Sequence, residues 1–473
     1  MYKPTIGLEI HAELSTKSKM FCSCPNVRDD REPNKNVCEI CLGHPGTLPT
    51  INREAVRSVI KLGLALGGKI PEFAKFDRKN YFYPDLPKGY QISQYDMPLV
   101  QGGELVGVKI TRVHLEEDTG RLIHDKSGNS LVDFNRAGRP LMELVTEPVI
   151  TSADQALTFA KELQLILRYL EISHADMEHG EMRVEANISI SKDKKRGTKV
   201  EVKNLNSFRA VAGAIAYEIK RQEEVLENGG KVTQETRGWD DAKQATYSQR
   251  TKEEAHDYRY LPEPDLPPLK ITKKEVEEIK VELPELPAQK RERFQKEFNL
   301  RAERAEILVS DRFLAKYFEE VVSELDEEMQ DDSKNVELVF NYLTSDLLGL
   351  TASTNTPVEK IKITPEDFAD LIALIVKGEL GSRAAKDILA KMFVKGGDPR
   401  EIMKDEGLSQ ISDEGELKKV VSGVIVESEK VVADYKKGKT AALEALVGRA
   451  MGKLKGRGNP EVLRKLFISK LTS

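Results

Sequence analysis

Ile6-Gly7-Leu8-Glu9-Ile10-His11-Ala12-Glu13-Leu14 alternates with period two. Ile6, Leu8, Ile10, Ala12 and Leu14 fall on one side, and Gly7, Glu9, His11 and Glu13 on the other. Successive side chains of a strand point to opposite faces, so this is a strand with one apolar and one polar face. Met182, Val184, Ala186, Ile188 and Ile190 repeat the pattern against Arg183, Glu185, Asn187 and Ser189. Val200 and Val202 do so against Glu201 and Lys203. Helical patterns intervene at Ser152–Leu170 and at Phe208–Asn228, the latter stopped by Gly229-Gly230. Strands with one wet face, interleaved with helices, predict an α+β domain on a mainly antiparallel sheet.

The polar face carries chemistry. Glu9 and His11 stand about 7 Å apart on one strand face. A carboxylate beside an imidazole can bind a divalent cation or act as acid and base. It can equally be a hydrogen-bonded polar face. Further acids on strand-like segments add weight: Glu116-Glu117-Asp118 after Val113-His114-Leu115, and Glu143 within Leu141–Val145. Arg183, Glu185 and Asn187 share another face. Carboxylates suit hard Mg²⁺ and arginine suits phosphate oxygens, so the sheet can serve as a magnesium and phosphate cradle. Lys437-Gly438-Lys439-Thr440 ends like a phosphate-binding loop, but Ala433 stands where its first glycine belongs and a helix precedes it. Any nucleotide must therefore be held by the sheet.

All four cysteines, Cys22, Cys24, Cys38 and Cys41, fall in one 20-residue window. A Cys-x-Cys…Cys-x-x-Cys arrangement can set four sulfurs around one tetrahedral ion, which reads as structural zinc. Two disulfides need an oxidising compartment, and no apolar signal core opens the chain. A redox dithiol leaves the second pair unexplained, and iron–sulfur clusters use other spacings.

Length and charge set the larger plan. At about 150 residues per domain, 473 residues predict about three domains. The net charge of −5 hides a basic end: from Lys430 onward stand 11 Lys/Arg and three acids. That end fits a polyanionic partner, or else a solvated lysine-rich helical face. Pro262, Pro264, Pro267 and Pro268 mark extended chain, Glu282–Pro287 reads as an interdomain linker, and helices follow. Thr364-Pro365 marks one N-terminal cap and Asp413-x-x-Glu416 resembles another. The longest apolar run, Leu371–Val376, is far too short to span a bilayer, so a cytoplasmic, membrane-free protein is expected. Asp77–Asp85 and Tyr90–Tyr95 are dense in aromatics mixed with Arg78, Lys79, Asn80 and Gln91. This suits stacking on a single-stranded nucleotide end, or a packed loop of buried tyrosines.

Taken together these segments resemble the B subunit of the glutamyl/aspartyl-tRNA amidotransferase. The carrying strings are Ile6–His11, Phe76–Asp85, Tyr90–Gln94, Glu116–Asp118, Val132–Arg136, Lys203–Phe208 and Asp257–Asp265. Gln410–Asp413 and Asp434–Lys439 are similar to that family's helical, YqeY-like tail. The resemblance implies a glutamine synthetase-like cradle over 1–290 with a zinc knuckle at about 20–45. It implies a helical domain over 291–407 and a basic helical tail over 408–473.

It also implies a carbon–nitrogen ligase with glutamine as nitrogen donor. ATP phosphorylates the side-chain carboxylate of Glu-tRNA(Gln) or Asp-tRNA(Asn). Ammonia from an amidase (glutaminase) partner, the A subunit, completes the amide, and a small C subunit clasps the pair. No glutaminase motif occurs in this chain, which fits a borrowed ammonia source. The implied catalytic residues are Glu9, His11, Glu117, Glu143, Arg183 and Glu185, with His11, Glu117 and Glu143 on magnesium. The resemblance departs at Glu185, where the family more often carries Asp. Zinc falls to Cys22, Cys24, Cys38 and Cys41. Substrate contacts are expected from Arg78, Lys79, Tyr81, Tyr83, Gln91, Lys203, Asn204 and Asn206. The rival functions are a stand-alone ligase for a free acid and a non-catalytic, zinc-containing tRNA-binding module.

Overall fold

In the computed structural model the opening alternation is strand β1 (Lys3–Glu13). The structure describes residues 2–28, 32–125, 127–193, 195–251, 258–330, 332–407, 414–454 and 457–472. Asp257 and the segment 410–413, with the cap expected at Asp413, lie outside the described residues. The chain divides into two compact units, 1–287 and 288–473. The break falls at the end of the predicted linker; this division draws none near 407.

In the first unit α1 (Arg53–Ala65) follows β1, its first amides bound by the Asn52 side chain. Strands β2 (Phe73–Ala74), β3 (Asp77–Asn80), β4 (Tyr90–Ser93), β5 (Val100–Gln101), β6 (Glu104–Leu105) and β7 (Val108–Glu117) come next. A hairpin of β8 (Arg121–His124) and β9 (Ser130–Asp133) leads to β10 (Pro140–Thr146) and α2 (Ala153–Tyr169). Then come β11 (Met182–Ser191), β12 (Val200–Leu205), α3 (Phe208–Glu227), β13 (Glu235–Asp240) and β14 (Ala245–Thr251). The short β15 (Leu261–Pro262) and β16 (Leu269–Lys270) and helix α4 (Lys273–Val281) close the unit.

Among the described residues, nine strands form one sheet in the order β14-β13-β12-β11-β1-β10-β7-β5, with β6 also paired to β7. Its pairs are antiparallel except β12 with β13. The apolar face is the core. Ile6, Leu8, Ile10 and Ala12 of β1 lie there with Met142 and Leu144 of β10 and Val184, Ala186 and Ile188 of β11. Phe159, Leu163 and Leu167 of α2 and Val211, Ala214 and Ile215 of α3 complete it. Each large side chain buried this way contributes about 1.5–3 kcal/mol relative to exposure. The helices thus take up one face of the sheet and leave the other free for charge.

The second unit is helical: α5 (Pro287–Glu297), α6 (Ala302–Val309), α7 (Arg312–Ser323), α8 (Glu327–Gln330) and α9 (Ser333–Asn341). A π-helical turn (Tyr342–Leu347) runs into α10 (Leu348–Thr354). Helix α11 (Pro365–Val376) starts as predicted, with Thr364 capping the Asp367 amide at 3.1 Å. After α12 (Ser382–Lys395) and α13 (Pro399–Asp405) come α14 (Glu414–Glu427), α15 (Glu429–Lys436), α16 (Ala441–Lys453) and α17 (Pro460–Thr472). Leu417, Val421, Leu446, Val447, Leu463 and Phe467 give these last helices a core of their own. No helix among the described residues is long and apolar enough to cross a membrane.

Candidate active site

Strand register builds the site. His11 pairs with Arg183 on β11 and with Glu143 on β10, and Glu143 pairs with His114 on β7. Paired residues share a face, so Arg183, His11, Glu143 and His114 form one row across four strands. Glu9 and Glu185 are paired one step along the same face, and Glu116 lies two residues beyond His114.

The distances are short. His11 Nε2 lies 3.3 Å from Glu143, 3.4 Å from Glu116 and 4.0 Å from Glu9. His114 Nε2 lies 3.5 Å from Glu143 and 4.0 Å from Glu116. Arg112 approaches Glu143 at 3.6 Å, and the Ser93 hydroxyl donates to Glu116 at 3.1 Å. Two overlapping donor sets result, Glu9–His11–Glu143 and His114–Glu116–Glu143. Spacings of 3–4 Å between one nitrogen and several carboxylate oxygens fit a single hard cation.

Burial and charge set the protonation. Burial alone lowers the His11 imidazole, but the Glu116 and Glu143 carboxylates outweigh it and push it up to about 10. Burial holds His114 below its usual value, outweighing the upward pull of the Glu143 and Glu116 charges. Burial and the neighbouring Glu143 raise Glu9 to about 7.

The sequence expected Glu117 beside His11 and Glu143; the structure seats Glu116 there instead. Alternation along β7 puts His114 and Glu116 on the row's face and turns Glu117 to the other side. Glu117 is bound by Lys88 Nζ at 2.6 Å and by the Ile92 amide at 2.9 Å. His114 and Arg112 were also missed, although the spacing His114-x-Glu116 was readable from the same period-two rule.

Flanking charges are organised too. Arg183 reaches Asp118 at 3.3 Å, and Asp118 also pairs with Arg136. Burial raises the Asp118 carboxyl, but Arg136 and Arg183 overcome it and hold the group at about 2. Glu185 is held by Lys203 at 2.8 Å. Lys79 lies over the Tyr258 ring at 5.1 Å and feels the charge of Glu116 and Glu143. Tyr81 is edge-on to Tyr258, and Tyr95 stacks on Tyr260 at 4.3 Å, so the aromatic segment is partly packed on itself. Tyr83, Asn204 and Asn206 are exposed. Besides Lys203, two more expected substrate contacts are engaged internally. Arg78 grips Glu263 with two bonds of 2.8 Å, bracing β15 against β3. Gln91 is buried and donates to the Glu117 carbonyl at 2.7 Å.

The four cysteines are free thiols that converge, which sets aside the disulfide reading. Cys41 Sγ lies 3.4 Å from Cys22 and 3.7 Å from both Cys24 and Cys38. Zn–S bonds of about 2.3 Å in a tetrahedron place sulfurs about 3.8 Å apart, so this donor set fits zinc. The knuckle is stitched to the sheet's loop. Asn34 donates to Asp133 at 2.9 Å, Asn36 to Asn135 at 2.9 Å, and the Met20 amide to Gly138 at 2.7 Å. That loop carries Arg136, and so the knuckle backs the Asp118–Arg183 pair.

Comparison with known proteins gives the family. The family model described as the GatB/GatE catalytic domain matches residues 4–277, and the one described as the GatB domain matches residues 316–471. The B subunit of an aspartyl/glutamyl-tRNA(Asn/Gln) amidotransferase from Caldanaerobacter subterraneus subsp. tengcongensis is 45% identical over 483 residues, covering 100% of this chain and 99% of that protein. A protein of the same description from Rippkaea orientalis is 44% identical, covering 99% of this chain and 98% of its own length. Another from Persephonella marina is 45% identical, covering 98% of each.

Proposed function

This chain belongs to the GatB/GatE family, and from that premise we propose the reaction its cradle performs. It is the B subunit of an aspartyl/glutamyl-tRNA(Asn/Gln) amidotransferase. The substrate is a misacylated tRNA, Glu-tRNA(Gln) or Asp-tRNA(Asn), whose side chain ends in a free carboxylate. A carboxylate is a poor electrophile. One of its oxygens attacks the γ-phosphorus of ATP, ADP leaves, and an acyl phosphate forms. Ammonia then attacks the acyl carbon and phosphate leaves, giving the amide.

The residues divide this work. Glu9, His11, Glu116 and Glu143 are the residues that would hold magnesium, which when bound would offset charge on the phosphate oxygens. Arg183, anchored by Asp118, offers its guanidinium to the same oxygens. Lys79 and Lys203 keep positive charge at the two ends of the carboxylate face. Tyr81, Tyr83, Asn204 and Asn206 meet the acceptor end of the tRNA. Glutamine is the nitrogen donor, hydrolysed by a separate amidase chain that a small third chain clasps to this one. The tRNA body meets the exposed Lys419, Lys430, Lys436, Lys437 and Lys465 of the terminal helices. The complex works in the cytoplasm, where aminoacyl-tRNA is consumed.

The observation that carries this reading is the row of His11, Glu143 and His114 with Glu9 and Glu116 alongside. A purely tRNA-binding module has no use for such a concentration of buried carboxylates. The test is reconstitution with the amidase and clasping partners, ATP, magnesium, glutamine and each misacylated tRNA. Amide formation is expected, with His11→Ala and Glu143→Gln both defective. Full activity in both variants overturns the assigned site.

A further inference from the structure

Lys19 has no exposed surface. Its Nζ donates to the Asn36 carbonyl at 2.7 Å and lies 3.5 Å from Cys41 Sγ. Among the described residues it forms no ion pair with a carboxylate. A buried ammonium is costly unless a counter-charge and hydrogen bonds accompany it. The carbonyl supplies a hydrogen bond and no charge. The sulfur is the remaining candidate for the anion.

Charge counting on the cluster makes the same point from the other side. Four thiolates around one divalent ion leave a net charge of about −2, and while Cys22, Cys24 and Cys38 are half-buried, Cys41 is buried. Cys41 is the buried member and the sulfur that touches the other three. It has the least access to solvent donors, and Lys19 brings it one. We infer that Lys19 is the built-in counter-cation of a four-thiolate metal centre, set against its central sulfur. Through Asn36, which binds Asn135, the same lysine ties that centre to the loop beneath Asp118. Gly138 of that loop lies against its stem, where an added Cβ meets Lys19 Cδ at 3.8 Å. The lysine is thus a positioning residue for the metal, with no part in phosphoryl transfer.

The test uses the full-length chain loaded with zinc or cobalt. Lys19→Met keeps an unbranched apolar stem, one atom shorter, and deletes the charge; Lys19→Arg keeps the charge. Zinc affinity is read by chelator competition, and sulfur-to-cobalt charge-transfer absorption reports the four-thiolate geometry. Loss of an outer partner of this kind weakens metal binding about 10–100-fold. Lys19→Met is therefore expected to bind zinc that much more weakly and to shed it faster, with its fold recovered at saturating zinc. Lys19→Arg is expected to stay much closer to the parent. Parental zinc affinity in Lys19→Met overturns the proposal. If Lys19→Met does not fold even with excess zinc, Lys19→Arg decides. A folded, metal-bound Lys19→Arg supports the proposal, and failure of both variants overturns it, because the position then requires shape and not charge.

Discussion

Adjacent carboxylates on one strand offer a sharp test: Glu116→Gln should cripple cation binding where Glu117→Gln should not. Glu116 faces the row, 3.4 Å from His11 Nε2, with Ser93 donating at 3.1 Å. Glu117 is neutralised by Lys88 at 2.6 Å and tied to the Ile92 amide. Two unit charges about 4 Å apart interact by about 4 kcal/mol at an effective dielectric near 20. Glutamine keeps a carbonyl oxygen as a weaker ligand, so a loss of about 3–4 kcal/mol is a fair expectation. That is roughly a 10²–10³-fold weaker site, at about 1.4 kcal/mol per factor of ten. Calorimetric titration of full-length protein with Mn²⁺, which suits the same oxygen and imidazole donors, reads this directly. Glu117→Gln should keep cation affinity within about threefold and instead lower the melting temperature, because Lys88 loses its partner. Equal weakening in both variants, or parental affinity in Glu116→Gln, refutes the assignment by strand face.

Metal analysis should find about one zinc per chain, removed by EDTA only together with local unfolding, and Cys38→Ser should lose both metal and stability. Glu218, with no exposed side-chain surface, holds Arg221 at 2.6 Å and approaches Arg237 at 3.6 Å. Glu218→Ala should cost about 1–3 kcal/mol in urea unfolding, because Gln222 and Thr246 lose a buried acceptor and Arg221 and Arg237 are left with Glu235 as their shared counter-charge. Burial alone raises Glu235, but hydrogen bonds from Ser248 and Arg237 hold it below the usual 4.5. Its contribution is present above pH 4.5 and fades as pH falls through the lower folded value, so the stability gap between parent and Glu235→Gln should narrow in acid. Deleting residues 408–473 should weaken tRNA binding and flatten its dependence on salt; unchanged binding removes the tail from the tRNA interface.

Much of the cradle was legible because alternation is a local signal. The pattern of Ile6–Leu14 and Met182–Ile190 assigns an inside and an outside without knowledge of neighbours. The helices read at Ser152–Leu170 and Phe208–Asn228 are α2 and α3 to within a residue or two. The cysteine cluster was legible for another reason: four soft ligands in one short window have few other uses. His114 and Glu116 were harder. Their strand has acids at 116, 117 and 118, and composition cannot say which one faces the site. The parity of β7 relative to β10 decides that, through the pairing of Glu143 with His114. The internal partners of Arg78 and Gln91 were hidden for a related reason. Their bonds to Glu263 and to the Glu117 carbonyl join segments far apart in the chain, which no local pattern reveals.

The sequence by itself determined the class of fold, the grouping of the four cysteines and the presence of Glu9, His11 and Glu143 on polar strand faces. Each of these depends on residues close in the chain, or on ligand types that declare their chemistry. Tertiary structure decided that His11, Glu143 and His114 stand in one row, that Glu116 joins them, and that Lys19 is sealed against Cys41. Those facts depend on strand register and on burial. A one-residue change in register reverses every face, and a lysine's burial cannot be read from the lysine.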